Sequence, residues 1–503
     1  MIIYNESMEE IDLKNLKKVH LIGIGGIGVS ALARMFLQKG IKVSGSDVAK
    51  SEITDELKKL GVKIFIGQKK ENVPADADAV VFSPAVLSDN PEILVAKKIG
   101  STLKNYPEML GILMNDYFSV AISGTNGKTT TTSLVGLMLE SAGMDPSVVV
   151  GGRVKIWEGN FRQGKSKYFV AEACEYRRHM LNLNPRAIVL TNIEEDHLDY
   201  YKDLKDIKNA FSEYIKKLKK DGLLIYNADD KNILDILKNS QAKKISYGIK
   251  NSADLMARNI KKEVGAQKFE FWWKGKNLGE MKIFVPGDFN IYNFLAASAL
   301  SLELGADIDS IKRVCKNFKG TWRRFEKVGE FKNRPIISDY AHHPTAVQKT
   351  IEAAREFYPH TYQQKKLTKN LYKHPATQMK KNGDVDVGVG IYSPSKILVV
   401  FQPHQQNRTR MLFDDFVKSF QGASGLILSE IYQVEGREEE KEKISSKDLL
   451  RAVKNASAQL RPKNLFYAKD KEEALKLLKE NILNYDVVIV MGAGDVYQIV
   501  YKL

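Results

Sequence analysis

Short apolar runs alternate with amphipathic stretches of helical spacing along almost the whole chain. The first apolar run, at about Lys17–Ile22, is followed by GIGGIG and by an amphipathic stretch at about Val29–Lys39. Further strands are expected at Lys42–Ser46, Lys63–Ile66 and Ala79–Ser83. Strands that alternate with helices predict a parallel sheet with helices on both faces. The pattern therefore predicts a first α/β domain, which we expect to end near residue 116.

The same alternation continues in a second predicted domain. Its first strand is expected at Phe118–Ser123, before the polar segment GTNGKTTTT and a helix that reaches about Ala142. Two more buried strands are predicted at Tyr168–Ala171 and Ala187–Leu190, and polar residues follow each of them. Between residues 253 and 284 the alternation of apolar and polar residues is typical of antiparallel strands, which predicts a side sheet.

A third domain is predicted after residue 319. Strands are expected at Pro335–Ser338, Ile397–Phe401, Gly425–Ser429 and Asp486–Met491, and the polar segments DYAHHP, QPHQQNRTR and GAGD follow three of them. Residues 359–396 show little periodicity, which indicates a surface insertion. The expected fold class is α/β with three domains: a Rossmann-like domain at 1–116, a P-loop ATPase-type domain at 117–319 and a Rossmann-like domain at 320–503.

Composition fits a globular protein of several domains. The chain has 503 residues, of which 43% are hydrophobic and 27% charged, and both fractions are typical of globular proteins. The net charge is +16, but the lysines are spread thinly and no nucleic-acid-binding motif accompanies them. We therefore expect a solvated surface and no nucleic acid partner. Cys174 and Cys315 lie outside disulfide and metal-binding spacings, which favours a reducing compartment.

The amino-terminal segment has acidic residues where a signal peptide has basic ones, and its apolar run leads directly into the first predicted strand. The chain also lacks an uninterrupted stretch of about 18 apolar residues, which a membrane-spanning helix requires. We therefore expect a soluble cytoplasmic protein without membrane insertion. Nothing in the sequence indicates an obligate protein partner.

The first polar segment after a strand, Gly23-Ile24-Gly25-Gly26-Ile27-Gly28, matches the pattern GxGxxG. Such a turn lets backbone amides and a helix N-terminus approach a diphosphate closely. Asp47 ends the next strand, where a carboxylate would accept hydrogen bonds from a ribose or a base. On these residues alone the turn indicates a dinucleotide such as NAD, and a glycine turn with only a structural role stays open.

A second polar segment, Gly124-Thr125-Asn126-Gly127-Lys128-Thr129, follows the strand at Phe118–Ser123. Its amide groups would surround phosphates, Lys128 would add positive charge, and the Thr129 hydroxyl would be a ligand for Mg²⁺. The first glycine of a Walker A loop would fall at Ile122, so this is a variant P-loop. A plain structural turn is the weaker alternative.

Acidic and imidazole groups follow the next two predicted strands. The Glu172 carboxylate ends YFVAE and would join Thr129 at a metal ion, unless it is only a solvated acid at a strand end. His197 lies between Asp196 and Asp199, and we predict that it holds a second metal ion, although a lone histidine is more often structural. Two nucleotide sites in one chain are typical of a kinase or ligase that acts on a nucleotide-linked substrate.

Together these motifs resemble those of the Mur ligase family of peptidoglycan synthesis, most closely its alanine-adding branch. The likeness extends through all three predicted domains and leaves out mainly residues 358–396. It is carried by GIGGIGVSALA, VSGSD, SPAVLSDNPE, GTNGKTTTT, EACEY, TNIEEDHLDYY, PGDFNIYN, FKGTWRRFE, DYAHHPTA, FQPHQQNRTR and MGAGD. Each motif is short, but their order and spacing together are highly specific.

The resemblance implies that the substrates are ATP, UDP-N-acetylmuramate and L-alanine. The lactyl carboxylate of the sugar would attack the γ-phosphate to form an acyl phosphate, from which the amine of the amino acid would displace phosphate. A carboxylate needs such a leaving group, and cations must hold the like-charged reactants together. We therefore expect ATP as co-substrate, Mg²⁺ as cofactor, and a role in cell wall biogenesis, cell shape and cell division.

The resemblance also implies roles for particular residues. Catalysis would be carried by Lys128, Glu172, His197, Arg324 and Asp339, and the metal would be held by Thr129, Glu172 and His197. The ATP site would also include Gly124, Thr125, Asn126, Gly127, Thr130, Asn290 and Asn293, although the two last asparagines alone would indicate an N-cap pair. UDP, in place of a dinucleotide, would be bound by Gly25, Gly26, Gly28, Asp47 and Ser83. The amino acid would be bound by Tyr340, His342, His404 and Arg408, unless these are ordinary polar loop residues.

Three positions depart from the pattern of the alanine-adding branch. Asn126 and Phe289 stand where histidines are common, and Gln405 occupies a position that is often basic. Glycine and L-serine therefore stay open beside L-alanine. The alternative functions are a recycling ligase that adds a tripeptide to the same sugar nucleotide, a non-catalytic nucleotide-binding regulator, and an NAD-dependent oxidoreductase. Domain closure on binding, with hinges near Asp116 and Lys319, is a further expectation.

Overall fold

A computed structural model describes residues 11, 13, 15–198, 200–358, 395–433 and 443–503 of the chain. Nearly all of the predicted insertion at 359–396 lies outside these residues, and so does Asp199. The described residues form three sheets, which confirms the predicted α/β fold class with three sheet-containing regions. None of the described helices is long and apolar enough to cross a membrane. The domain boundaries near residues 116 and 319 stay predictions.

The first sheet is parallel, with five strands in the order β3-β2-β1-β4-β5. Its strands are β1 Lys18–Ile22, β2 Lys42–Asp47, β3 Lys63–Ile66, β4 Ala79–Phe82 and β5 Thr102–Asn105. The accompanying helices are α1 Ile27–Gln38, α2 Glu52–Lys59, α3 Pro91–Lys98 and α4 Tyr106–Met114. Strand β1 is buried on both faces, since Val19, His20, Leu21 and Ile22 are all inaccessible to solvent. The strand order reverses beside β1, so the loop that follows β1 lies where open α/β sheets bind ligands.

The central sheet has ten strands in the order β15-β14-β13-β12-β11-β10-β6-β9-β7-β8. These are β6 Phe118–Ser123, β7 Ser147–Val154, β8 Gly159–Arg162, β9 Tyr168–Glu172, β10 Ala187–Leu190, β11 Leu223–Asn227, β12 Lys243–Gly248, β13 Leu255–Glu263, β14 Ala266–Trp273 and β15 Lys276–Ile283. The helices are α5 Lys128–Ser141, α6 Leu204–Lys216, α7 Lys231–Ile236, α8 Asp288–Glu303 and α9 Ile308–Asn317. The prediction of a separate side sheet was wrong. Strand β13 pairs in parallel with β12, so β13–β15 extend the main sheet and cover an edge that would otherwise expose unpaired backbone groups.

The third sheet has six strands in the order β16-β17-β21-β18-β19-β20. They are β16 Glu326–Phe331, β17 Arg334–Asp339, β18 Ile397–Phe401, β19 Gly425–Ser429, β20 Asn464–Ala468 and β21 Val487–Met491. The helices are α10 Pro344–Phe357, α11 Gln406–Met411, α12 Phe413–Ser419, α13 Ser446–Asn455 and α14 Lys471–Asn481. Strand β16 is antiparallel to β17, whereas β17, β21 and β18 are parallel neighbours. The segments DYAHHP, GAGD and QPH therefore begin at the same edge of this sheet.

The chain forms two compact units. The first comprises Met1–Arg258, Glu270–Met281 and Phe289–Lys316, and the second comprises Asn259–Phe269, Lys282–Asp288 and Asn317–Leu503. Within the first unit, one apolar core contains Leu113 of α4 together with Ala121 of β6 and Phe169 of β9. A hinge near Asp116 would therefore have to separate packed apolar surface, whereas the predicted hinge near Lys319 is close to a boundary between the units.

A buried polar network joins β1 and β2 to the start of α3. It is centred on Glu92, whose side chain is wholly buried. The Glu92 carboxylate accepts hydrogen bonds from Ser46 Oγ at 2.5 Å and Asn72 Nδ2 at 2.6 Å, and it lies 3.2 Å from His20 Nε2. Burial raises the pKa of Glu92, but the hydrogen bonds from His20, Ser46 and Asn72 outweigh burial and bring the pKa below its ordinary value. Glu92 is therefore a charged group inside the first sheet's core.

We predict that Glu92→Gln destabilises the protein at neutral pH and that the loss disappears in acid. A carboxyl group whose pKa is lowered by folding stabilises the folded state fully above its unfolded pKa, near 4.5. This contribution is lost as the pH falls through the lower pKa of the folded state. The expected loss at pH 7 is about 1–3 kcal/mol, the usual cost of disrupting a buried hydrogen-bond network. Thermal unfolding from pH 7 down to about pH 2 measures it, because that range passes through the lowered pKa of the folded state.

The matched control is Glu108→Gln, because Glu108 also lies in the first turn of a helix but only caps α4. Glutamine keeps the acceptor of such a cap, so this variant should unfold close to the wild type. Equal losses in the two variants, or a loss that does not change with pH, would contradict the assignment.

Candidate active site

The glycine turn between β1 and α1 is held by the end of β2. The Gly23 and Ile24 amides donate to Ser46 O at 2.8 and 3.0 Å, and the Gly25 amide donates to Asp47 Oδ2 at 2.8 Å. A Cβ atom at position 25 would lie 2.9 Å from the same Asp47 oxygen, so the close approach requires glycine. The predicted turn and the predicted carboxylate therefore lie together.

The other residues predicted to bind UDP surround this turn. The Gly26 amide donates to Gly23 O at 3.0 Å. A Cβ atom at Gly23 would lie 2.9 Å from Ser83 Cβ, and one at Gly28 would lie 2.7 Å from the ring of Tyr106. The structure thus brings Ser83 and the three predicted glycines to one place, beside Asp47. Their binding of UDP stays a prediction.

The P-loop connects β6 to α5 in a conformation that only glycine allows at two positions. Gly127 has a φ angle of +84° and Gly124 one of +133°. A Cβ atom on Gly127 would overlap Asn293 Oδ1, and one on Gly124 would overlap Thr191 Oγ1. Both glycines are therefore required by backbone conformation and by close approach.

Lys128 begins α5, and its ammonium group turns back onto the loop. Its Nζ donates to Gly124 O at 2.6 Å and to Thr125 O at 3.0 Å. The same atom lies 2.8 Å from Glu175 Oε2 and donates to Glu175 Oε1 at 3.0 Å. Burial lowers the pKa of Lys128, but the Glu175 carboxylate outweighs burial and raises it, while the pKa of Glu175 is lowered. Both groups are therefore charged at neutral pH.

Thr129 and Glu172 meet at the start of the same helix. The Thr129 hydroxyl donates to Glu172 Oε2 at 3.3 Å, and the Gly151 amide of β7 donates to Glu172 Oε1. A hydroxyl and a carboxylate beside a phosphate-binding loop are a donor set that suits Mg²⁺. The structure therefore brings together two of the three residues that the sequence predicted as metal ligands, and it leaves metal binding as a prediction.

His197, the third predicted ligand, lies beside Glu175. Its Nε2 is 3.5 Å from Glu175 Oε1 and 3.8 Å from Asp196 Oδ2, and its ring centroid is 4.7 Å from that of Tyr176. The ligand atoms of Glu175, Asp196 and His197 all lie within 4.8 Å of one another. His197 also has a φ angle of +55°, which costs an L-residue about 1–2 kcal/mol. Backbone strain of this kind is common at functional sites.

Asn290 and Asn293 lie on α8, against the P-loop. Asn293 Oδ1 accepts a hydrogen bond from Thr131 Oγ1 at 3.3 Å, and Asn293 Nδ2 donates to Asn290 Oδ1 at 3.3 Å. Both asparagines are buried, as is Thr130 of α5. These side chains support the loop and the first turn of α5. Contact of the asparagines with adenine stays a prediction.

In the second unit, Asp339 ends β17 and binds backbone amides on both sides. Its Oδ2 accepts from the Phe325 amide at 2.6 Å, and its Oδ1 accepts from the Ala341 amide at 2.7 Å. Burial raises the pKa of Asp339, although the positive charge of Arg324 opposes the shift. The Arg324 guanidinium lies 4.8 Å from the ring centroid of Tyr340. Three of the predicted residues therefore form one cluster.

Arg323 is the buried member of the WRRF pair. Its Nη2 donates to Gly492 O and, at 3.2 Å, to Gly494 O, and only 4% of the residue is exposed. Its guanidinium lies 4.1 Å from the ring centroid of Tyr497. Arg323 therefore joins the segment before β16 to the loop after β21, and it positions the residues around Asp339.

The residues predicted to bind the amino acid follow β17 and β18. His342 Nδ1 lies 2.9 Å from Tyr340 O, and the ring centroids of His342 and His404 are 5.9 Å apart. The His404 ring stacks on Tyr432 with 5.6 Å between centroids and 10° between planes. Arg408 lies on α11, the short helix after His404. The structure thus brings Tyr340, His342 and His404 together and places Arg408 on the adjoining helix.

At two of the positions that depart from the pattern of the alanine-adding branch, the residue makes hydrogen bonds that fix the nearby backbone. The Asn126 amide donates to Asn192 Oδ1 at 2.9 Å, and the Asn126 side chain donates to Glu194 Oε2 at 3.2 Å. Gln405 has a φ angle of +71°, and its amide donates to Tyr432 O at 3.0 Å. Asn126 therefore joins the P-loop to the loop after β10, and Gln405 holds the turn before α11.

Glu175 and Arg323 are the main site residues that sequence reasoning missed. Glu175 is part of the motif EACEY, but it follows β9 in an irregular segment whose side-chain directions have no periodic pattern. Glu175 lies close to Lys128 because β6 and β9 are neighbours in the sheet, and the sequence does not show that pairing. Arg323 is adjacent to Arg324, and the sequence has no signal that distinguishes a buried arginine from an exposed one.

We predict that Gly127→Ala weakens ADP binding at least about tenfold, whereas Gly143→Ala leaves it nearly unchanged. The two glycines lie at opposite ends of α5 with φ angles of +84° and +73°, so both variants carry the strain of an L-residue, about 1–2 kcal/mol. Only the methyl group at position 127 overlaps another side chain, because nothing lies within 4 Å of a Cβ atom at position 143. Calorimetric titration with ADP measures the difference, and equal losses would contradict it.

We also predict that Arg323→Ala destabilises the protein by about 2–4 kcal/mol, because it leaves carbonyl groups unsatisfied and a cavity beside Tyr497. Arg324→Ala is the matched control in the neighbouring position, and its cost should stay below about 1 kcal/mol. Chemical denaturation followed by circular dichroism distinguishes the two. A loss for Arg324→Ala as large as that for Arg323→Ala would show that the two arginines have been assigned incorrectly.

Three family models match the chain in the order of its three sheets. The model described as Mur ligase family, catalytic domain, matches residues 18–118. The model described as Mur ligase middle domain matches residues 122–301. The model described as Mur ligase, glutamate ligase domain, matches residues 323–366 and 388–494. The matches therefore cover well over half of the chain.

Individual proteins match over nearly the full length. UDP-N-acetylmuramate–L-alanine ligase of Clostridium tetani is 41% identical over 490 residues, which are 97% of each chain. The ligase of the same name from Caldanaerobacter subterraneus is 38% identical over 492 residues, which are 97% of this chain and 98% of that one.

Solved structures of similar ligases match the chain over nearly its full length. The crystal structure of UDP-N-acetylmuramate-alanine ligase from Thermotoga maritima matches with a TM-score of 0.76 and 26% identity, over 96% of this chain and 97% of that one. A murein peptide ligase from Psychrobacter arcticus matches with a TM-score of 0.68 over 97% and 98% of the chains, and its 21% identity shows a shared fold alone. From its three matching regions and its full-length relatives, we conclude that the chain belongs to the Mur ligase family.

Proposed function

We propose that the chain joins L-alanine to the lactyl carboxylate of UDP-N-acetylmuramate, with cleavage of ATP to ADP and phosphate, in the synthesis of peptidoglycan precursors. The observation that carries the proposal is the match, over 97% of the chain, to relatives at 38% and 41% identity that bear the name of this ligase. The P-loop and the cluster around Lys128 and Glu175 support it, because a ligase of this kind must hold a nucleoside triphosphate.

The nucleotide binds at the P-loop in this proposal. The loop amides and Lys128 hold the phosphates, and Asn290 and Asn293 lie on the adenine side. Thr129 and Glu172 would hold one Mg²⁺ and His197 a second, and these ions would stabilise the negative charge that develops on the transferred phosphoryl group. Arg324 and Asp339 would also bind the nucleotide, as the family resemblance implies.

The sugar nucleotide binds at the glycine turn, where the N-terminus of α1 favours a diphosphate. One oxygen of the lactyl carboxylate attacks the γ-phosphorus of ATP, and ADP leaves. The amine of L-alanine then attacks the acyl carbon, loses a proton, and displaces phosphate from the tetrahedral intermediate. The side chains of Tyr340, His342, His404 and Arg408 would surround the amino acid, and the Arg408 guanidinium suits its carboxylate.

The substrates in this proposal are soluble, anionic small molecules. A protein that uses ATP and a UDP-linked sugar works where those nucleotides are made, so we propose a cytoplasmic location. The chain's net charge of +16 would favour the approach of such anions without any nucleic acid partner.

The test is phosphate release from Mg²⁺-ATP in the presence of UDP-N-acetylmuramate, with L-alanine, glycine, L-serine or an L-Ala-γ-D-Glu-meso-diaminopimelate tripeptide added in turn. We expect release that requires both the sugar nucleotide and L-alanine. Lys128→Ala should reduce its rate at least about hundredfold, because Lys128 stabilises charge on the phosphates.

Lys208→Ala is the control, because Lys208 forms an ion pair with Asp235 on the surface of the same unit and should leave the rate unchanged. Stimulation by the tripeptide alone would identify a recycling ligase. The absence of release with every acceptor would refute ligation of these substrates.

A further inference from the structure

The Lys128 ammonium group has no N–H left for a phosphate in this structure. An ammonium group has three donors, and Nζ has hydrogen bonds to Gly124 O, Thr125 O and Glu175 Oε1. Lys128 must therefore give up at least one of these partners when it binds a nucleotide. The two carbonyl groups belong to the P-loop itself, whereas Glu175 lies on a different segment, so Glu175 is the partner that the move would leave behind.

Glu175 cannot lose its cation without compensation. Its residue is 2% exposed, and its Oε2 lies 2.8 Å from Lys128 Nζ in a geometry that makes no hydrogen bond with any described donor. A buried carboxylate without a nearby positive charge is strongly unfavourable. Departure of Lys128 towards phosphates therefore requires that another cation approach Glu175, or that the carboxylate take up a proton.

The neighbours of Glu175 are suited to a divalent cation. His197 Nε2 lies 3.5 Å from Glu175 Oε1, and Asp196 Oδ2 lies 3.8 Å from the same imidazole nitrogen. One ligand atom from each of these three residues fits within 4.8 Å, a spacing that a single metal ion can bridge. Two carboxylates and an imidazole are donors that Mg²⁺ or Mn²⁺ accepts, with water or phosphate completing the coordination.

We propose that Glu175, Asp196 and His197 form a divalent-cation site whose Glu175 carboxylate is paired with the Lys128 ammonium group in the nucleotide-free protein, and that this ammonium group withdraws when nucleotide phosphates attract it. The inference rests on the proposed function for its nucleotide step, and it adds Glu175 and Asp196 to the residues predicted to hold metal. Lys128 and the metal ion then compete for Glu175, so this metal site is complete only after the nucleotide has bound.

The experiment measures Mn²⁺ binding to the full chain without nucleotide, from the electron paramagnetic resonance signal of free Mn²⁺. Lys128→Met removes the competing charge, so it should bind Mn²⁺ at least about tenfold more tightly than the wild type does. Adding Glu175→Gln to that variant should abolish the gain, because glutamine keeps the shape and removes the charge. Lys208→Met removes a lysine that pairs with exposed Asp235 and should show no gain.

This measurement of Mn²⁺ binding does not depend on ligase activity. A negative result would therefore count against the cation site and not against the proposed function. The absence of a gain in Lys128→Met, or a gain that survives Glu175→Gln, would overturn the inference.

A second measurement covers the case in which Lys128→Met does not fold. With ADP bound, Glu175→Gln in the otherwise wild-type chain should hold one Mn²⁺ fewer than the wild type, whereas Glu213→Gln, which pairs with Arg178 on the surface, should hold the same number. Calorimetry with ADP checks that each variant still binds nucleotide. Equal Mn²⁺ stoichiometry in Glu175→Gln and the wild type, with ADP bound to both, would also overturn the inference.

Discussion

The buried ion pair between Lys128 and Glu175 is the interaction on which the nucleotide side of this site depends. Lys128 begins the helix after β6 and Glu175 follows β9, so the pair joins the ends of two neighbouring strands. His197 follows β10 on the other side of β6 and approaches the same carboxylate. Because an unpaired charge at this depth would cost several kcal/mol, each group requires the other or a substitute of the same sign. The positions of the P-loop cation, the imidazole and any metal ion are therefore linked through one carboxylate.

The parallel sheets explain why such groups meet at all. The carboxyl ends of neighbouring parallel strands lie at one edge, so segments far apart in the chain begin side by side there. In the first sheet this edge brings the glycine turn to Asp47, and in the third sheet it brings Asp339 to the loops after β18 and β21. Polar side chains at these edges need hydrogen-bond partners, and several of their carboxylates accept hydrogen bonds from backbone amides of an adjacent loop. The close contacts of Gly25 with Asp47 and of Gly127 with Asn293 leave no room for a larger side chain without a local shift.

Local sequence patterns were sufficient to predict the fold class, most strands of the first and third sheets and the P-loop with Lys128 and Thr129. These features depend on the order of residues within a few positions, which the sequence displays directly. The patterns were insufficient for β13–β15, since alternation predicts strands but not the edge with which they pair. They were also insufficient for Glu175, Arg323 and the Glu92 network, because burial and partners there arise from strand order and helix packing over long separations in the chain. Glu172 was predicted at the end of β9, but the carboxylate that pairs with Lys128 is Glu175, three residues later in an irregular turn.

The central claim is that the chain activates a carboxylate by phosphorylation before an amine attacks it. The most direct measurement is the fate of ¹⁸O placed in both oxygens of the lactyl carboxylate of UDP-N-acetylmuramate, followed by mass spectrometry of the phosphate released in the presence of ATP and L-alanine. Formation of an acyl phosphate transfers one carboxylate oxygen to phosphorus, so our account predicts one ¹⁸O atom in each released phosphate and one in the amide product. Phosphate without ¹⁸O would mean that water, and not the carboxylate, attacks ATP, and it would contradict the account.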